Sequence, residues 1–380
     1  MLLGDTDTFF SEYWEENYLH RRGRIDPIPA RFDDVDRLLH DHVLSTSTVA
    51  LSANGSLLDA ERYTVDPTTL ITGGDGPQTV VDPDRLLAEF QHGANVVFHR
   101  VEDYLPAAAA VASELESIVG QPLRGNMFLT PPGSPGLPPH VDGADVFVFQ
   151  CEGVKRWELW RRVIPRPLCE DEFNRRELTE PEVVIDLEPG DLLYLPRGWD
   201  HRVGAAAESS LSISLNIRTV THAHLARAAL DVALQSEDFR RAVSPEAMCD
   251  PAVLAAEAKQ VIDELSRAIA GVDAADITGV VDELVGAVKR PKPSITLQQA
   301  IDAIGLTDNH RLRLGDGVVI DGTDLRRGDA VVTPPAAFIA GLGVTGRDPT
   351  TVGQLRGALP LAAAEPLLLR LLDDGWVTAT

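Results

Sequence analysis

The chain has 380 residues, 44% of them hydrophobic, with a net charge of −24 and a pI near 4.7. That length favours two or three domains with enough chain to bury a core, and the acidic balance argues against a general nucleic-acid binder, whose footprint is basic. The three cysteines, Cys151, Cys169 and Cys249, are far apart with no CxxC, which argues against a disulfide framework and a thiolate metal site.

The N-terminal stretch MLLGDTDTFFSEYWEEN is acidic and lacks a basic segment followed by an apolar core, so no secretory signal is read. No apolar run approaches the length of a membrane span, and a soluble, cytoplasmic protein is expected. Residues from about 5 to 120 read as a mixed cap. FFSEYWEENYLHRRG is expected to be helical, with Phe9, Phe10, Tyr13, Trp14 and Tyr18 on roughly one face. VDRLLHDHVL is a second helix, and STVALSA and ERYTV are short strand candidates. DPDRLLAEFQHG opens on a capping Asp and closes on Gly93. NVVFHRV is a buried strand, and LPAAAAVASELESIVG a helix ended by Gly120.

From about Pro122 to Arg218 the texture changes to short β runs separated by Gly, Pro and Asp: NMFLT, DVFVFQ, KRWELW, EVVIDL, DLLYLP and SLSISLNI. That spacing predicts an all-β barrel or sandwich. From Thr221 to about Lys289 the chain is rich in Ala, Leu and Glu and reads as several helices, of which PAVLAAEAKQVIDELSRAIAG, stopped by Gly271, is the clearest and ITGVVDELVGAVKR another. PKPS at 291–294 is the best linker candidate. Beyond it TLQQAIDAIGL reads as helix, GVVIDG and DAVVTP as a strand pair, and TTVGQLRGAL, PLAAAEPLLLRLLDDG and WVTAT as helix, helix and strand. That order resembles a winged helix. Its last helices set Arg356 and Arg370 against Glu365, Asp373 and Asp374, so a protein-contacting role is expected rather than DNA binding.

The chemistry concentrates between Arg124 and His201. His140 and Asp142 stand two apart where a strand begins, and side chains i and i+2 share one face of a strand. On a helix the same spacing would turn them about 200° apart. His201 closes a Gly190, Pro196, Gly198, His201 pattern whose turns hold a strand-end imidazole toward a barrel interior. Two imidazoles and one carboxylate form the ligand set of a mononuclear non-haem iron(II) oxygenase and leave coordination positions open for a co-substrate and dioxygen. Two other His pairs carry no such signal: His40 and His42 lie in a predicted helix, where they point apart, and His222 and His224 open another.

The stretch GNMFLTPPGSPGLPPHVDGADVFVFQCEGVKRWELW, with LEPGDLLYLPRGWDH, closely resembles the JmjC-type ribosomal oxygenases of the cupin superfamily, specifically over about 120–220. The resemblance implies an α+β fold, a double-stranded β-helix (cupin/JmjC jelly roll) core with an N-terminal mixed cap, a helical dimerisation domain and a C-terminal winged helix. The corresponding boundaries are 1–220, 221–290 and 295–380. It implies an iron(II)- and 2-oxoglutarate-dependent hydroxylase acting on a His or Arg side chain of a ribosomal protein, and a homodimer. His140, Asp142 and His201 match the iron ligands, and Lys155 matches the basic residue that pairs with the distal carboxylate of 2-oxoglutarate. Strand alternation puts Lys155 on one face with Trp157 and Leu159; the competing reading turns Arg156 inward instead.

Asn126 matches a polar residue near the co-substrate. Two positions later relatives often carry Tyr where this chain has Phe128, and the second cupin motif ends in Asn where this chain has Ala205. Ser210, Ser212, Ser214 and Asn216 alternate with Leu and Ile. A hydroxyl of that face, with Ser214 a candidate, or from Ser209 before it, is expected to reach the co-substrate; a plain half-exposed strand is the competing reading. A basic protein is the expected substrate, with Glu152, Asp145 and Asp200 as a possible acidic rim. The alternatives are hydroxylation of a small molecule or carrier-bound amino acid, a non-catalytic cupin-fold binding protein, and a zinc or manganese cupin, which usually offers a fourth protein ligand. No GxSxG, Walker A or GxGxxG pattern is present, so hydrolase, nucleotidase and Rossmann readings lack support.

Overall fold

The computed structural model describes residues 2–65, 79–160, 165–167 and 180–288, with short segments between 311 and 379. The chain divides into two compact units, Met1–Lys289 and Arg290–Thr380. Cys169, the PKPS join and the helix expected over TLQQAIDAIGL lie outside the described residues.

The first unit begins with α1 (Thr6–Thr8), capped by the Asp5 carboxylate, and runs directly into a π-helical turn, Phe9–Tyr13. The predicted N-terminal helix ends there. Leu19–Arg21 is instead a strand, β1, because its backbone pairs with a strand of the barrel far along the chain, a long-range partner that local periodicity does not reveal. The aromatic face is only partly inward: Phe9 is buried and stacks edge-on against Tyr194, while Phe10 is exposed.

Next come α2 (Phe32–Asp41), β2 (Val49–Ala53), β3 (Ser56–Leu57), β4 (Thr64–Val65) and β5 (Val80–Val81). In ERYTV only the last two residues are strand, preceded by a 3-10 turn at Ala60–Arg62. The helix α3 (Pro83–Gln91) starts on the Asp82 carboxylate, which accepts from the Asp84 and Arg85 amides. After β6 (Asn95–His99), α4 (Pro106–Val119) has Pro at its first position and stops on Gly120 in the left-handed region, the expected start and stop of a helix.

The β-rich middle forms β7 (Leu123–Thr130), β8 (His140–Val141), β9 (Val146–Glu152), β10 (Lys155–Leu159), β11 (Val183–Leu187), β12 (Leu192–Leu195), β13 (Asp200–Ala205) and β14 (Ser210–Ile217). An eight-stranded sheet has the order β1-β12-β9-β14-β7-β6-β2-β3, and a four-stranded sheet the order β11-β10-β13-β8. The large sheet is buried on both sides. One face packs Met127, Leu129, Phe147, Phe149, Ile213 and Leu215 with Val35 and Leu38 of α2, Leu86 of α3 and Leu115 of α4. The other turns Val146, Val148, Leu193 and Leu195 toward Trp157, Leu159, Ile185 and Leu187 of the small sheet. Apolar burial drives this closure at about 25 cal/mol per Å². The alternation in SLSISLNI therefore separates two interiors, and the half-exposed strand reading fails.

Helices α5 (His222–Ala233), α6 (Pro251–Ala270) and α7 (Ala274–Val288) follow, with α5 touching both others. His224 accepts from the Thr221 amide at the start of α5, and His40, His42, His222 and His224 are all exposed, which removes those pairs from the chemistry. Among the described residues no helix is long and apolar enough to cross a membrane.

The second unit contains β15 (Arg311–Leu314), β16 (Val319–Asp321), β17 (Asp324–Arg327), β18 (Ala330–Val332), β19 (Thr350–Thr351) and β20 (Val377–Ala379). They form two three-stranded sheets, β19-β15-β20 and β16-β17-β18. GVVIDG and DAVVTP are both strands, but Asp324–Arg327 pairs between them, so the expected pair is a three-stranded meander. Thr350–Thr351, expected to open a helix, is a strand paired with Arg311–Leu312. Val352 and Gly353 after it are helical, the remainder of that expected helix and the first part of the next lie outside the described residues, and Leu367–Leu372 is helical. Leu312, Leu325, Leu368, Trp376 and Val377 form a core of its own.

Candidate metal centre and its cavity

The short strand β8 pairs antiparallel with β13 in a register that sets His140 directly opposite His201. Their ring centroids are 4.3 Å apart. Asp142, two residues past His140, leaves the strand on the same face. Its two carboxylate oxygens lie 3.6 Å from His140 Nε2 and 3.6 Å from His201 Nε2. One donor atom from each of the three residues falls within 4.8 Å of the others. Ligands about 2.1 Å from one ion would sit roughly 3 Å apart, so the three donors would draw inward to hold one.

The tautomers are fixed by the backbone. His140 Nδ1 lies 2.9 Å from the Pro138 carbonyl and His201 Nδ1 3.1 Å from the Trp199 carbonyl. A carbonyl only accepts, so each Nδ1 carries a proton and each ring turns its Nε2 toward Asp142. Burial holds the His201 imidazole neutral, with its pKa lowered to about 4; the Asp142 carboxylate works in the opposite direction and does not overcome it. Trp157 stacks on His201 at 5.5 Å and 19°, walling one side of the ring. Two imidazoles and a carboxylate are a donor set that fits iron(II).

A cavity of about 370 Å³ lies between the sheets and includes all three residues. The small sheet contributes Lys155, Trp157 and Val203, the large sheet Asn95, Asn126, Phe128, Ser212, Ser214 and Asn216. Lys155 faces inward with Trp157 and Leu159, and Arg156 lies outside, paired with Asp186. The Lys155 ammonium, 6% exposed, donates to Ser212 Oγ at 2.9 Å and lies 5.1 Å from the centre of the Phe128 ring. Burial lowers its pKa to about 7. Among the described residues it has no carboxylate partner, so an entering anion would meet a desolvated cation.

The remaining expected residues divide. Asn126 lines the cavity and lies 3.0 Å from His99 Nδ1. Ser214 lines it too, its hydroxyl donating to Asn216 Oδ1 at 3.4 Å. Ser209 is not among the lining residues. Its carbonyl packs on Gly153, where any Cβ would come 2.1 Å from the oxygen, so this end of the loop serves the hairpin between β9 and β10. The hydroxyl that meets Lys155 belongs to Ser212, a candidate within the serine row that alternation alone could not single out.

The acidic rim is a correction. Asp145 is fully buried and paired with Arg197, Asp200 is buried, and Glu152 accepts the Phe32 amide at the first residue of α2. None of the three forms an exposed rim. Among described cysteines Cys151 and Cys249 are free, and burial pushes the Cys151 thiol up to about 12.

A helix-backed jelly roll of two sheets, enclosing two imidazoles and a carboxylate, defines a cupin-type fold with a candidate metal site. Residues 99–225 match the model of the JmjC domain. The chain is 30% identical over 220 residues to mouse ribosomal oxygenase 2, covering 56% of this chain and 44% of that protein. It is 30% identical over 217 residues to the bifunctional lysine-specific demethylase and histidyl-hydroxylase NO66 of Drosophila persimilis, covering 55% and 29%. The chain thus spans less than half the length of these curated relatives. E. coli ycfD superposes with a TM-score of 0.54 at 18% identity over 100% of this chain and 99% of that one. A second structure of that protein, a ribosomal oxygenase in complex with cobalt and 2-oxoglutarate, gives a TM-score of 0.53 at the same identity and coverage. Residues 99–225 thus carry the match to the JmjC domain, and over a little more than half its length the chain is similar to ribosomal oxygenase 2 and NO66.

Proposed function

We propose that this protein is an iron(II)- and 2-oxoglutarate-dependent oxygenase that hydroxylates a His or Arg side chain of a basic ribosomal protein in the cytoplasm. The observation that carries the reading is the meeting of His140, Asp142 and His201 in one cavity with a buried, carboxylate-free Lys155. The names of the relatives and the chain's net charge of −24 support a basic ribosomal substrate.

His140, Asp142 and His201 would hold the metal. With 2-oxoglutarate and dioxygen it supplies the power to insert one oxygen atom into a C–H bond as the keto acid is decarboxylated to succinate. The carbonyls of Pro138 and Trp199 keep both Nε2 lone pairs available. Lys155, steadied by Ser212, would take the far carboxylate of the dianion, and Asn126 and Ser214 would bound its flank. Phe128 offers a ring beneath the ammonium at the position where the family it resembles often has Tyr, so the clamp relies on Lys155 and Ser212. The surrounding Val146, Val148, Trp157 and Val203 exclude water from the reacting centre.

Within the same proposal, residues 221–290 are a dimerisation domain and 295–380 a winged-helix-like module that contacts protein rather than nucleic acid. The exposed apolar side chains of α6 support the first, and the small sheets with helical Leu367–Leu372 the second.

The test is succinate formation from 2-oxoglutarate with iron(II), with and without ribosomal protein, followed by mass spectrometry for a gain of one oxygen atom. Turnover that His140→Ala abolishes is expected. Stoichiometric iron with no turnover under either condition overturns the reading.

A further inference from the structure

The metal ligands come from two distant segments, and something has to hold those segments in register. The backbone gives two ties: the β8–β13 pairing, and the Gly198 amide donating to the Asp142 carbonyl at 3.1 Å. Gly198 belongs to the tight turn Pro196–Trp199 that delivers His201 and has φ +89, a conformation that favours glycine.

That turn is anchored from beneath by a buried ion pair. Arg197 is 5% exposed and Asp145 0% exposed. The guanidinium donates to Asp145 Oδ2 at 2.7 Å, and the Arg197 amide donates to Asp145 Oδ1 at 3.3 Å. The same carboxylate accepts from Tyr194 at 3.1 Å and from Thr219 at 3.3 Å. The other arm of Arg197 reaches Glu15 at 2.5 Å, whose amide donates to the Tyr194 oxygen at 2.9 Å. Asp145 lies three residues after Asp142, and Arg197 four before His201. The pair therefore ties the carboxylate-bearing loop to the imidazole-bearing turn one step behind the donors themselves.

A buried pair of this kind is a poor source of net stability, since desolvation of both charges offsets their attraction, whereas breaking it strands a charge. Its specific product is geometry. We infer that Arg197 and Asp145 are positioning residues for the metal centre, setting where Asp142 stands relative to His201. Neither touches the three donors; they act through the Gly198–Asp142 tie and the turn before His201. The inference rests on the metal-site reading above.

The test is cobalt(II) binding to the full chain, followed by titration and by the visible absorption bands that report coordination geometry, beside thermal melts of the metal-free protein. For Arg197→Met the cobalt Kd is expected to rise about tenfold or more, as for outer partners of metal ligands, with altered bands. Arg197→Lys, which keeps a cation but loses the fork, should recover part of the affinity. A folded Arg197→Met with wild-type Kd and bands, even with a lower Tm, overturns the inference, because a merely structural pair would do that. Should Arg197→Met not fold, Thr219→Val removes one bond to Asp145 without stranding a charge. A two- to threefold weaker Kd is then expected, and an unchanged one overturns the inference. A wild-type chain that takes up no cobalt overturns the metal-site reading and this inference with it; wild-type uptake with unaltered variants overturns this inference alone.

Discussion

Lys155 is the residue whose chemistry and cost are most closely linked. In the metal- and ligand-free protein its ammonium has a hydroxyl and a ring for company, and burial takes its pKa from 10.5 down to about 7. Below pH 7 the side chain is charged in both folded and unfolded states, and the folded state bears the whole desolvation cost. Between about 7 and 10.5 the unfolded chain binds the extra proton, so stability rises with pH through that window and the cost is gone above it. Lys155→Met fills similar volume without the charge. The metal-free variant is expected to be more stable than the wild type at pH 6 by a few kcal/mol, with the gap closing toward pH 10, while 2-oxoglutarate binding is lost. Urea unfolding at both pH values and a co-substrate titration check this. Equal stability at pH 6 would mean that the ammonium is better solvated than its 6% exposure implies.

Among elements, the PPGSPGLPP strap between β7 and β8 is built as a fixed wall. The Gly133 amide donates to the Ala206 carbonyl at 2.7 Å and the Ala205 amide to the Ser134 carbonyl at 3.0 Å. Gly136, at φ +66, lies so near β13 that a Cβ would come 1.9 Å from the Val203 carbonyl oxygen; Gly133, at φ +65, has nothing within 4 Å. Gly133→Ala should cost only the left-handed conformation, about 1 kcal/mol. Gly136→Ala carries that cost plus displacement of the strap, so at least ~2 kcal/mol is expected, with weaker metal binding because β13 carries His201. Paired melts and cobalt titrations separate the two, and equal costs would refute the close approach.

The clustering of His140, Asp142 and His201 is legible in the sequence because strand alternation and a Gly/Pro turn are local signals, and the inward face of Lys155 follows from the same alternation. Ser212 was not singled out, since its meeting with Lys155 depends on how two sheets face each other and on the shift in β14–β9 pairing at Leu211/Ser212. The strand at Leu19–Arg21 and the burial of Asp145 escaped for a related reason. Their partners, Leu192–Tyr194 and Arg197, lie far along the chain, where periodicity carries no information.

At the scale of the whole molecule, the strongest asymmetry in Met1–Lys289 is between its doubly covered sheet and its uncovered helix. Helix α6 runs 20 residues without one buried side chain. Leu254, Val261, Ile262 and Ile269 are 42%, 44%, 61% and 39% exposed, and their spacing of i, i+7, i+8 and i+15 puts them on one face. An amphipathic helix gains most of its stability in water by covering that face, since isolated helices are marginal. A second copy offers the same stripe, and a two-fold arrangement satisfies both at once. The wild-type chain is expected to be a dimer by light scattering at tens of micromolar. Placing Glu at both Val261 and Ile262 should put like charges into the joint and give a monomer with unchanged helix content, since both sites are open to solvent within one chain. A wild-type monomer would sink the proposed dimerisation domain, and a double variant that remains dimeric would move the interface off α6.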